Sequence, residues 1–140
     1  TGLDPQARHL IWERLKLLIA QGKSLLLTTH FMDEAERLCQ RILVLDRGRR
    51  IAEDSPRELI AAQVEPEVIE IDGDDLDAAE RLLRPHVQRL ERSGDSLFAY
   101  TGSGVAALHA LEALPALRVL HRRANLEDVF LKLTGRQLRD

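Results

Sequence analysis

The sequence predicts an α/β segment followed by a small α+β module, and three observations carry that division. Residues 24–29, SLLLTT, form a short apolar run after a helical stretch, the pattern of a strand covered on both faces in a parallel sheet. Residues 67–72, EVIEID, alternate polar and apolar, which marks a strand with one wet face. Between them, around residues 64–66, the charge balance changes. Residues 1–64 hold ten Lys or Arg against nine Asp or Glu, and residues 65–140 hold ten against fourteen. The expected domains are residues 1–64 and 65–140.

The elements follow from local chemistry. Asp4-Pro5 starts a helix, because the Asp side chain can cap free amides and Pro at the first helical position loses no hydrogen bond. Leu10, Ile11, Leu15, Leu18 and Ile19 recur at helical spacing, and Gly22 supplies a left-handed stop near residue 21. After the strand at residues 24–29, residues 31–39 read as a second helix with Asp33 and Glu34 in its first turn, where negative charge is favoured. Residues 41–46, RILVLD, are a buried-type strand turning at Arg47-Gly48 into residues 50–52, so the two form a hairpin. Ser55-Pro56-Arg57-Glu58 combines an N-cap, a helix-start proline and a Glu placed for a capping box, and its helix ends near Gln63.

In the second half, residues 67–72, 87–92, 96–101 and 117–121 are expected strands, and residues 74–83 and 105–114 are expected helices. The order is β-α-β-β-α-β, the split βαβ of ferredoxin-like folds. A last amphipathic helix over residues 126–134 is capped by Asn125 and stopped by Gly135.

Composition narrows the function. The net charge is -3 and no long run of one sign occurs, so nothing points to nucleic acid. Arg122-Arg123 is too short a basic pair to change that. Cys39 is the only cysteine, which excludes an internal disulfide and suits a reducing compartment, the cytoplasm. No apolar stretch approaches the roughly 20 residues needed to span a bilayer. Thr1-Gly2-Leu3-Asp4-Pro5 lacks the basic and apolar regions of a signal peptide. The chain opens on a helix start with no Met, the expectation for a piece of a longer protein.

His30 sits at the joint between the first strand and the second helix. Strand carboxyl ends and helix N-termini meet there in open α/β sheets, and ligands bind in the crevice. An imidazole in that place can hydrogen-bond an anion, or merely cap a turn. His30, Asp33 and Glu34 could also ligate a divalent cation, but adjacent helical positions point about 100° apart and do not share a face. His9, His86, His109 and His121 are scattered singly, Trp12 suits helix packing, and Gly102-Ser103-Gly104 reads as a β-to-α turn.

Taken in order, TGLDP, a helix, SLLLTTH, FMDEAERLCQRILVLDRGRRIAEDSP and ELI resemble the C-terminal part of an ATP-binding cassette ATPase, over about the first 63 residues. ANLEDVFLKLTGR, residues 124–136, resembles the small domain that follows the cassette in ATPases of the drug-resistance and nodulation-factor (lipo-oligosaccharide) export type. The resemblance implies that the first segment is the end of a P-loop NTPase domain. It makes GLDP the D-loop, in which Gly2 and Leu3 shape the backbone and Asp4 reaches toward the nucleotide of a second copy. It makes TTH the H-loop, with His30 the switch residue that contacts the γ-phosphate of ATP.

The implied parent is an ATPase using ATP and Mg²⁺, peripheral on the inner face of the cell membrane. It would act as a homodimer bound to an integral membrane permease. No G-x-x-x-x-G-K-[ST] loop occurs in these residues, so the chain alone is expected to bind no nucleotide and to be inactive. In the family the strand at residues 24–29 pairs with strands outside this stretch. The alternative reading is a non-enzymatic regulatory or dimerisation module of ferredoxin-like fold.

Overall fold

The computed structural model describes residues 3–135, so Thr1, Gly2 and Arg136 of the motifs above lie outside the described residues. The architecture is mixed α and β with two antiparallel sheets. The chain runs through α1 (Pro5–Ala20), α2 (Met32–Leu38), β1 (Ile42–Asp46), β2 (Arg49–Asp54), α3 (Pro56–Gln63), β3 (Glu67–Asp72) and α4 (Leu76–Leu83). It continues through β4 (Arg89–Ser93), β5 (Ser96–Thr101), α5 (Val105–Leu111), β6 (Arg118–Arg123) and α6 (Leu126–Thr134).

The expected helix starts form by the expected chemistry. Asp4 Oδ1 accepts from the Ala7 amide at 2.8 Å with Pro5 at the first position of α1. Ser55 Oγ accepts from Glu58 N at 3.2 Å. The anticipated capping box at this end is only half made, because the Ser55 amide donates to Asp54 Oδ1 at 2.8 Å. The full box belongs to α6, where Asn125 and Asp128 each accept the other's backbone N–H.

One expected element is absent. Residues 23–29 belong to no helix or strand of the described residues, and Leu26 is 96% exposed. A strand exists only by pairing, and a continuous apolar run does not supply its own partner. The apolar stripe of α1 is only partly covered, with Leu15, Leu18 and Ile19 half-buried. Trp12 of α1 is buried, while Leu10 and Ile11 stand exposed.

Arg47 at φ 50° and Gly48 at φ 73° form the two-residue turn of the β1–β2 hairpin. Left-handed backbone at both central positions matches the twist of the flanking strands. The larger sheet has the order β4-β5-β3-β6, every neighbouring pair antiparallel.

Side-chain alternation splits the large sheet into two faces. Ile69, Ile71, Leu97 and Ala99 point to one face and join Leu83 of α4 and Ala107 of α5 in a fully buried core. Val68, Glu70 and Tyr100 point to the other, and there α6 lies across the sheet, bonded to Tyr100 and Arg122. A second core lies on the far side of α6. Leu126 and Val129 cluster with Ala35 of α2, Val44 of β1, and Leu59 and Val64 at α3. The helix therefore packs simultaneously on the sheet and on the α2–α3 segment. No helix among the described residues is long and apolar enough to cross a membrane.

Candidate functional site

His30 follows the unpaired stretch of residues 23–29 and is exposed, its ring centroid 4.3 Å from that of Phe31, the N-cap residue of α2, and tilted 34° to it. The Phe31 amide donates to Thr29 Oγ1 at 2.9 Å, which turns the chain into the helix. Behind Phe31, Arg8 of α1 lies 5.1 Å over the ring. Arg8 is one helical turn beyond Asp4, so α1 carries both the cap residue and the side chain that backs the His30 turn. The Asp4 carboxylate is exposed and engaged in capping.

Chemically, the turn presents an exposed imidazole able to donate to or accept from a ligand oxygen. Asp33 and Glu34 occupy the first turn of α2 as expected from the dipole argument. Among the described residues no group of three or more His, Cys, Asp or Glu is arranged to hold a metal ion.

Beside this turn runs an open groove of about 810 Å³, lined by residues 24–29, Leu15 and Ile19 of α1, α2 and β1. Cys39 lies on its wall, and burial, reinforced by Glu34, pushes its thiol pKa up. A thiol held protonated in this way is a packing residue rather than a nucleophile.

A second polar constellation was not legible beforehand. Arg122 grips Asp128 with two nitrogens at 2.7 and 2.9 Å and reaches Glu70 at 2.6 Å. Tyr100 donates to the same Asp128 carboxylate at 2.9 Å, and the Asn125 amide donates to it at 2.8 Å. Burial alone would push Arg122 down, but the bonds to Asp128 and Glu70 outweigh it and hold the guanidinium charged. Every acceptor is charge-assisted, which makes this a satisfied network rather than a reactive one. The signal that could have found it is Asp128 itself, three residues after an N-cap asparagine and five after a strand ending in two arginines.

Tyr100 is the only tyrosine, fully buried, with Arg89 stacked 3.8 Å from its ring. Burial, then the Asp128 charge, raises its pKa far above the ordinary value of 10.0. The folded phenol keeps its proton where the unfolded one loses it. Its contribution to stability is therefore intact below pH 10.0 and falls as pH rises beyond it. An alkaline titration is expected to show no tyrosinate absorbance near pH 10, the band appearing only as the fold is lost. A normal tyrosine titration with circular dichroism unchanged would contradict the buried network.

The chain resembles known proteins throughout its length. It is 57% identical to the Nod factor export ATP-binding protein I of Ralstonia nicotianae, covering 100% of this chain and 46% of that protein. It is 58% identical to the protein of the same name from Cupriavidus pinatubonensis, covering 100% of this chain and 43% of that protein. A Rhizobium relative of that name is 54% identical over 99% of this chain and 45% of its own length. The chain thus spans less than half the length of the curated relatives it matches. In class, it is similar to the C-terminal part of ATP-binding proteins of an export system. More particularly, residues 76–135 match the family described as the C-terminal domain of nodulation factor export protein NodI.

Proposed function

We propose that the chain supplies the switch-histidine segment and C-terminal module of the ATP-binding subunit of an exporter, of the Nod factor, lipo-oligosaccharide or drug-exporting type. That subunit hydrolyses ATP with Mg²⁺, works as a homodimer on the cytoplasmic face of the membrane, and drives a separate integral permease. The observation that carries the reading is identity above one half, over the whole chain, to relatives named as ATP-binding proteins of Nod factor export. In this reading residues 1–64 are the end of a P-loop NTPase domain and residues 65–140 a ferredoxin-like module. The strand order β4-β5-β3-β6 suits that module, since the halves β3-α4-β4 and β5-α5-β6 interleave, each giving one central and one edge strand.

His30 acts as the γ-phosphate contact and Asp4 as the residue reaching toward the second copy. The exposed imidazole at the end of an unpaired apolar stretch supports the first role. A donor already in place where phosphoryl charge develops lowers the barrier without reorganisation. The sequence given contains no phosphate-cradling G-x-x-x-x-G-K-[ST] loop, so these residues are expected not to hold ATP or Mg²⁺ by themselves. The unpaired apolar stretch at residues 23–29, with the groove beside it, is what a strand looks like when its ladder partners lie elsewhere in the protein.

The test is a chimera in which this chain replaces the 140 residues it matches in the Cupriavidus pinatubonensis relative. The chimera is expected to hydrolyse ATP, and His30→Ala to reduce turnover about 100-fold or more with nucleotide binding retained. Unchanged turnover in His30→Ala would remove the switch assignment.

A further inference from the structure

Two observations about α6 converge on the helix that follows His30. Its first turn is tied to α2 by a hydrogen bond, Leu126 N–H to Glu36 Oε1 at 3.1 Å, and by the apolar cluster of Ala35, Leu126 and Val129, each less than a tenth exposed. Its other polar contacts reach the large sheet and the end of α3. Asp128 holds Arg122 and Tyr100, and Lys132 donates to the Gln63 carbonyl at 2.5 Å. The side chains of α6 are thus shared between the sheet module and the seven-residue helix that begins two residues after His30.

The upstream side of His30 has no comparable anchor. Residues 23–29 join no strand, so among the described residues the turn is located from α1, through Arg8 on Phe31, and from α2. A helix this short cannot hold its own position, because isolated helices of fewer than about 12 residues are marginal in water. What fixes α2 is its packing against α6 and against Trp12, over which Arg37 lies at 5.4 Å.

We infer that Glu36 is a positioning residue for His30, and that through it and α6 the four-stranded module sets the orientation of the switch turn. This inference rests on the phosphate-contact reading of His30. The physical basis is rigidity. A carboxylate accepting from a free amide in the first turn of α6 is charge-assisted and favoured by the dipole, so it pins one face of α2 to a helix that is itself locked to the sheet. Anything that shifts the sheet module shifts α2, and with it the imidazole. Small displacements of an aligned group carry large kinetic costs.

Two measurements test the link separately from the reading it rests on. In the chain itself, Glu36→Ala is expected to speed amide exchange across Met32–Leu38 about tenfold and to move the His30 ring resonances, while amides of β3 and β5 stay protected. Glu36→Gln, whose amide oxygen can still accept from Leu126 N–H, is expected to restore both. Unmoved His30 resonances in Glu36→Ala would overturn the inference. So would equal disturbance in both variants.

In the chimera, Glu36→Ala is expected to lower kcat about tenfold with KM for ATP unchanged, and to add nothing in a His30→Ala background. Full turnover in Glu36→Ala alongside a dead His30→Ala removes the positioning role alone. Full turnover in His30→Ala removes the phosphate reading and this inference with it.

Discussion

Asp128→Ala is expected to lower the unfolding free energy by about 3–5 kcal/mol, the range for removing one partner of a buried ion pair. The carboxylate is 4% exposed and meets four donors from three places: both Arg122 nitrogens, the Tyr100 hydroxyl and the Asn125 amide. Its loss leaves a guanidinium under α6 with only Glu70 and the Arg123 carbonyl, a buried hydroxyl without its acceptor, and half a capping box. Asp128→Asn keeps an acceptor for Tyr100 and the cap while removing the charge, and should fall between the two. Urea denaturation followed by Trp12 fluorescence and far-ultraviolet circular dichroism measures it. A loss below about 1 kcal/mol would mean that the network is solvated rather than sealed.

Ile69→Ala is expected to cost about 4 kcal/mol, in the upper part of the range for deleting a buried aliphatic side chain. Ile69 has no exposed surface and sits on β3, hydrogen-bonded on both sides by β5 and β6, with Ala99 and His121 directly opposite. The core it joins includes Ala79, Ala99 and Ala107, all fully buried. Small residues bring backbones close together, and backbone does not move inward to fill a void as a flexible Leu or Met would. Ile69→Val, which removes one methylene, should cost about 1 kcal/mol. If Ile69→Ala costs no more than Ile69→Val, the core collapses around the gap and is looser than the close approach of these alanines implies.

Elements whose causes are local were legible in the sequence. The helix start at Asp4-Pro5, the Arg47-Gly48 turn, the strand of residues 67–72 and the helix over 126–134 all depend on residues within a few positions of one another, and each forms where expected. The strand at residues 24–29 was misplaced because its evidence was apolarity. Apolarity says that a segment wants cover without saying that the cover is present.

The same limitation hid the setting of α6. Leu126, Val129, Phe130 and Leu133 announce an apolar face, but nothing local says that the face meets α2 and α3 while Asp128 meets the sheet. Arg122 read as half of an exposed basic pair, and Glu70 as part of a wet strand face. Only the crossing of α6 over that face brings the two together. His30 was singled out by position at a strand-to-helix joint, and the structure places it at an exposed turn. Glu36 gave no signal, since a lone glutamate in a charged helix is the ordinary case.

The double engagement of α6 also constrains the order in which the molecule can be made. Glu36 and Leu126 are 90 residues apart, so the core around Ala35, Val44 and Leu59 cannot close until α6 has left the ribosome. The sheet core draws on residues between 69 and 111 and depends on far shorter loops, which close sooner. Synthesis therefore runs opposite to completion: the segment bearing His30 is translated early and consolidated late. In that interval its leucine-rich stretch stays open to chaperones.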